Sequence, residues 1–150
     1  MESIRELLEV IILKLKSKDK IGVIKELTSP LLKKGVITDE EEFLKAILKR
    51  ENLESTGIGF GVAIPHARTK SAKKLVLAFG RSMEGIDFSS IDGKPSYLVF
   101  LIAAPEDKKS EYILTLARLS KILRREDIRR SLRNAKDEEE VLQTIERAEK

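Results

Sequence analysis

The chain has no cysteine, no tryptophan and a single histidine among its 150 residues. Without cysteine there is no disulfide, no thiol nucleophile and no thiolate metal site. One histidine cannot make a three-ligand zinc site, and no cysteine is there to complete the set. Aromatic residues amount to 5%, too few for a platform that stacks single-stranded nucleic acid. No apolar run approaches the roughly 20 residues of a membrane span. Met1 is followed by Glu2 and Arg5, not by the basic and then apolar segments of a signal peptide. The expectation is a cytoplasmic protein with no direct membrane insertion.

Charge is abundant instead. Asp, Glu, Lys and Arg make up 36% of the chain, against about a quarter in ordinary domains. Hydrophobic residues make up 41%, enough for one core in a chain of single-domain length. The most basic stretch, residues 118–133, carries Lys121, Arg124, Arg125, Arg129, Arg130 and Arg133 against only Glu126 and Asp127. Such a stretch suits nucleic acid or an acidic protein. We read it as a solvated helix face, with no nucleic-acid partner.

The hydrophobic pattern alternates between helical and strand periods. Residues 3–9 read as a short helix and residues 11–16 as a strand, with Ile11, Leu13 and Leu15 alternating with Ile12, Lys14 and Lys16. One amphipathic helix over residues 3–16 competes with that reading. Residues 19–27 look helical, and Ser29-Pro30 suggests a new cap and first turn, stopped by Gly35. Thr38 with Glu41 forms a capping box for a helix carrying Phe43, Leu44, Ile47 and Leu48. Residues 74–80 and 97–103 are apolar strands, and Pro105 ends the second. Residues 83–95 look like an irregular surface loop. Ser110 is expected to cap a helix carrying Ile113, Leu116, Leu119 and Leu123, with two more helices over 127–133 and 137–149. Interspersed helices and buried strands define an α/β class, with no repeat and no linker that would divide residues 1–150.

The chemistry concentrates in residues 55–67, which read STGIGFGVAIPHA. No Gly-Lys-Ser/Thr closes the segment, so it is not a Walker loop, and its glycine spacing is not that of a dinucleotide fold. The pattern admits two readings: a tight turn beside a hydrogen-bonded histidine, or an anion site built around it. Glycines let backbone N–H groups converge on an anion. The hydroxyls of Ser55 and Thr56 add donors, and the Arg50 guanidinium suits phosphate oxygens. No nucleophile-elbow pattern supplies a hydrolase triad around His66. A lone imidazole with an ordinary pKa near 6.5 is substantially neutral at cell pH, as phosphoryl acceptance on histidine requires.

These residues resemble the IIA domains of the fructose/mannitol class of the bacterial phosphotransferase system, a group that includes the nitrogen-regulatory IIA proteins. The resemblance spans the chain. It rests on Arg50-Glu51, STGIGFGVAIPHA, Gly85-Ile86-Asp87-Phe88, Asp92-Gly93-Lys94-Pro95, the strand from Leu98 to Ala103 with Pro105, and Leu116-Ala117-Arg118-Leu119. It implies a mixed β-sheet flanked by helices, the phosphotransferase/anion-transport-like IIA fold. It places the phosphorylated histidine on His66, the nearby arginine on Arg50 and the glycine loop on Gly57, Gly59 and Gly61. Many members carry a second histidine at the start of a later helix, and here that position is Tyr112. A tyrosine can donate a hydrogen bond to a phosphoryl oxygen but offers no titratable imidazole. The alternative is that Tyr112 only packs.

The resemblance further implies a phosphocarrier that takes a phosphoryl group from an HPr-like phosphohistidine protein and passes it to a IIB component for fructose/mannitol-type sugar uptake. No metal or nucleotide cofactor is needed, because the donor already holds an activated N–P bond. Ser55, Thr56, Gly57, Gly59, Gly61 and Tyr112 are the expected phosphate contacts. A regulator whose targets respond to the state of His66 is the alternative, and the segment from Ile128 to Ile145 leans toward that nitrogen-regulatory branch. A third reading is an interaction domain that has lost transfer.

Overall fold

The computed structural model describes residues 2–150. Its centre is the antiparallel pair β5 (Val76–Ile86) and β6 (Ser96–Ala104), with Phe79 opposite Phe100. Both strands read as near-continuous apolar runs because both faces of the sheet are covered. The two-residue period then sends Val99, Leu101 and Ala103 into one core, and Leu98, Phe100 and Ile102 into the other. β1 (Leu8–Ile12) lies parallel to β5 on one side. On the far side of β6 lie β3 (Val62–Ala63) and β4 (His66–Arg68), both parallel to it. β2 (Gly57–Gly59) pairs antiparallel with β3 and closes the order β1-β5-β6-β3-β2.

Helices α2 (Lys20–Lys33) and α3 (Glu40–Leu53) cover the first core through Ile24, Leu27, Phe43 and Ile47. The second core is closed by α1 (Ile4–Leu7), α4 (Lys109–Leu123), α5 (Glu126–Asn134) and α6 (Glu138–Ala148), through Leu119, Leu132 and Ile145 among others. The architecture is the expected mixed sheet flanked by helices. No helix among the described residues is long and apolar enough to cross a membrane.

Several boundaries differ from the sequence expectation. The strand expected over 11–16 is β1, which begins directly after α1 and ends at Ile12. Parallel pairing with β5 sets those limits, and beyond Ile12 the Leu15 N–H still donates to the Arg81 carbonyl while its side chain packs on Gly80. The helix expected to break at Ser29-Pro30 runs on as a single α2. Pro30 costs one ladder hydrogen bond, but Leu27 and Leu31, on the same face, are fully buried. Asp39 caps α3 in place of Thr38, its carboxylate accepting from the Glu42 N–H at 3.1 Å. Thr38 instead donates to the Ser71 carbonyl. Ser110 lies inside the first turn of α4, whose N-cap position is Lys108. The segment expected to be irregular begins as strand, since β5 continues to Ile86 and pairs there with Ser96.

Candidate functional site

The site is assembled where the last turn of α3, the β2–β3 hairpin, β4 and the first turn of α4 meet. The hairpin turn needs left-handed backbone at three successive residues, Gly59, Phe60 and Gly61, with φ of 91°, 59° and 77°. Glycine meets two of these without a Cβ penalty. Gly57 answers a different need: a Cβ there would lie 3.1 Å from the Ser90 Cα and closer still to its hydroxyl. From the hairpin, Ile64 and Pro65 lead into β4, and the Pro65 carbonyl accepts from the Ile102 N–H at 3.0 Å. His66 is thereby fixed opposite Ile102.

His66 is buried, with 7% of its surface exposed. Its Nδ1 lies 2.6 Å from the Ile64 carbonyl oxygen. A carbonyl only accepts, so Nδ1 carries the hydrogen and Nε2 holds the free lone pair. Burial pushes the imidazole below its ordinary pKa of 6.5. The Ile64 carbonyl and Glu51 oppose that shift, while the positive charge of Arg50 adds to it. The net direction favours a neutral, nucleophilic ring.

Tyr112 stands beside it, with ring centroids 5.7 Å apart and planes tilted by 58°. Burial drives the phenol pKa up to about 12, against the pull of Arg50 and Arg68. The hydroxyl therefore stays protonated as a donor. Arg50 donates to the Glu54 carbonyl at 2.7 Å at the end of α3, and its charge acts on both rings. His66, Arg50 and Tyr112 are thus brought together.

The expected phosphate cradle of Ser55, Thr56, Gly57, Gly59 and Gly61 has a different form. Ser55 donates to the Phe88 carbonyl and accepts from the Gly57 N–H. Thr56 gives both its N–H (3.0 Å) and its hydroxyl (2.5 Å) to the Glu51 carboxylate. The Phe60 N–H donates to Asp92, whose carboxylate would also be the neighbour of a Cβ on Gly59. These donors are engaged within the protein, and a negative charge stands at the loop tip. The glycines at 59 and 61 shape the hairpin turn.

Sequence reasoning missed three residues. Buried Glu51 holds Thr56 and accepts from Lys20 Nζ at 3.1 Å. Lys20 in turn lies over the Phe88 ring, 5.5 Å from its centroid. The Arg50-Glu51 pair was visible, but nothing in it said that the glutamate would turn inward. Arg68 shares a strand face with His66 by the two-residue period, and that spacing could have signalled it. It donates to the Glu106 carbonyl.

Comparison with known proteins decides the family. The family described as "Phosphoenolpyruvate-dependent sugar phosphotransferase system, EIIA 2" matches residues 7–148. The chain belongs to this family. The IIA domain is 44% identical over 138 residues to the fructose-specific EIIABC component of Bacillus subtilis, covering 92% of the chain but only 22% of that relative. It is 39% identical over 134 residues to the fructose-specific EIIA component of Haloferax volcanii, covering 89% of the chain and 87% of the relative. Among solved structures, the nitrogen regulatory protein IIA-Ntr of Neisseria meningitidis superposes with a TM-score of 0.88 at 32% identity, covering 95% of this chain and 98% of that one. The Escherichia coli IIAMtl of a complex with phosphorylated IIBMtl gives 0.79 at 26% identity, covering 93% and 99%.

Proposed function

We propose that this IIA domain accepts a phosphoryl group on Nε2 of His66 and passes it on. The donor is an HPr-like phosphohistidine protein. The Nε2 lone pair attacks phosphorus in line as the donor N–P bond breaks, and that electron pair returns to the donor ring. The transition state is loose, so the protein mainly positions groups and balances charge. Arg50 faces the equatorial oxygens, and the Tyr112 hydroxyl donates to one of them. Glu51, Thr56 and Lys20 hold the hairpin and so position His66. A IIB component then takes the phosphoryl group by the reverse geometry. The IIA domain of the Escherichia coli mannitol complex assembles with such a partner.

The observation that carries this reading is the 2.6 Å contact of Nδ1 with the Ile64 carbonyl, which leaves one specified nitrogen as nucleophile. The test is a relay assay with the general phosphotransferase proteins and phosphoenolpyruvate. The wild type gains acid-labile phosphate. Equal labelling of His66→Ala contradicts the assignment.

A second role has its own support in the close superposition on the Neisseria nitrogen-regulatory protein. In that role the phosphorylation state of His66 sets binding to regulatory target proteins. Full labelling of the protein with no transfer to any fructose- or mannitol-type IIB favours it.

A further inference from the structure

The basic stretch of α5 is not uniformly a solvated face. Arg125 pairs with Asp127 and Arg130 with Glu126. Among the described residues neither Arg129 nor Arg133 has a carboxylate partner. Each lies on an aromatic ring instead: Arg129 is 4.7 Å from the centroid of Phe60, and Arg133 is 4.0 Å from that of Tyr97. The four-residue spacing puts both on one side of α5. There they line a groove of about 480 Å³ with Phe60, Met83, Arg130 and Arg81.

Arg81 is buried and rigidly held. Its Nη1 donates to the carbonyls of Leu132, Arg133 and Ala135, and its Nε donates to that of Leu13. Arg129 is likewise tied, through Nη1, to the carbonyls of Leu123 and Arg124. Four guanidinium groups thus meet one carboxylate, Glu126, which Arg130 already engages at 2.8 Å. Guanidinium groups fixed by stacking and by carbonyls lose little freedom when they bind an oxyanion. Exposed Phe60 and Met83 supply an apolar wall.

We propose that this groove binds a small organic anion of two or more charges, of the phosphate-ester or diphosphate class. Its volume lies in the range of small-molecule sites, roughly 300–1,000 Å³. The site is separate from His66. The Gly61 carbonyl accepts from Leu98 N–H, whereas His66 is in register with Ile102, some four residues and about 13 Å farther along β6. Its ligand can be held while His66 exchanges its phosphoryl group. The proposal does not depend on the transfer chemistry.

The experiment titrates the whole protein with inorganic pyrophosphate at low salt, followed by calorimetry and by ¹H–¹⁵N spectra that include the arginine Nε signals. The expected result is saturable binding with shifts at Arg129, Arg133, Phe60 and Tyr97. Affinity falls about tenfold or more in Arg129→Gln/Arg133→Gln and is unchanged in His66→Ala. Arg133→Gln alone guards against misfolding, because the Arg133 side chain makes no hydrogen bond among the described residues, and it should weaken binding several-fold. No binding, shifts centred on His66, or equal affinity in both variants overturns the proposal. So does binding of poly-glutamate at these residues where pyrophosphate fails, which would mark the groove as a surface for acidic polypeptide.

Discussion

The Nδ1 of His66 lies 2.6 Å from the carbonyl oxygen of Ile64, two residues earlier in the same chain. The contact follows from the run into β4, where the Pro65 carbonyl accepts from the Ile102 N–H, His66 pairs with Ile102, and the Ile64 carbonyl faces the imidazole edge. It fixes the tautomer, and with it the nitrogen whose lone pair is free.

Burial holds the His66 pKa below 6.5, and in the proposed transfer the neutral ring is the nucleophile. The single-turnover rate of phosphoryl acceptance should therefore rise with pH through a midpoint below 6.5 and be level at pH 7 and above. The linked stability has the same sign. The unfolded chain binds this proton more readily, so the His66 contribution is complete above about pH 6.5 and declines as pH falls below it. Urea denaturation of wild type and His66→Gln at several pH values checks this, and a midpoint above 7 would contradict it.

Tyr112 supplies a hydrogen-bond donor beside the imidazole. Tyr112→Phe should slow transfer by roughly tenfold, the worth of one good hydrogen bond to a charged group, and leave the melting temperature nearly unchanged. With its pKa near 12, the phenol should add no inflection to the rate profile below pH 10. Tyr112→His should add one. Stopped-flow transfer assays on the three proteins decide it, and wild-type rates in Tyr112→Phe would reduce the residue to packing.

Glu51→Gln removes the charge that Thr56 and Lys20 share. Losing charged hydrogen bonds at a buried position should cost about 2 kcal/mol. The transfer rate should fall as well, because the hairpin that carries the chain to His66 is loosened. Denaturant melts together with the relay assay measure both effects, and a loss of stability without any loss of rate would remove the positioning role.

Gly57→Ala places a methyl against the Ser90 backbone. The expected destabilisation is about 1–3 kcal/mol, the usual cost of overpacking. Gly93→Ala meets no atom within 4 Å but must keep a φ of 71°, so its cost should be smaller, about 1 kcal/mol. Equal midpoints for the two variants would contradict this ordering.

The class and the central strands were legible because β5 and β6 are buried on both faces and so carry unbroken apolar runs. His66 stood out as the only histidine, after a proline and a glycine loop, and the structure places it beside Tyr112 and within the field of Arg50. The cap of α3 was not, because Thr38 and Asp39 are both good caps and only the Ser71 carbonyl, more than thirty residues away, draws Thr38 off. Pro30 misled for a related reason: the burial of Leu27 and Leu31 outweighs one missing hydrogen bond. The flexibility of the glycine loop was legible, since its turn takes positive φ at Gly59, Phe60 and Gly61, but the partners of its neighbours were not. Nothing local says that Glu51 will engage Thr56 or that Asp92 will engage the Phe60 N–H.

The most direct test is to phosphorylate the ¹⁵N-histidine-labelled protein through the relay and record the ring nitrogens by NMR. The account predicts a single phosphohistidine with phosphorus bonded to Nε2 and Nδ1–H still bound to the Ile64 carbonyl. Phosphorus on Nδ1, or label that persists in His66→Ala, would contradict it.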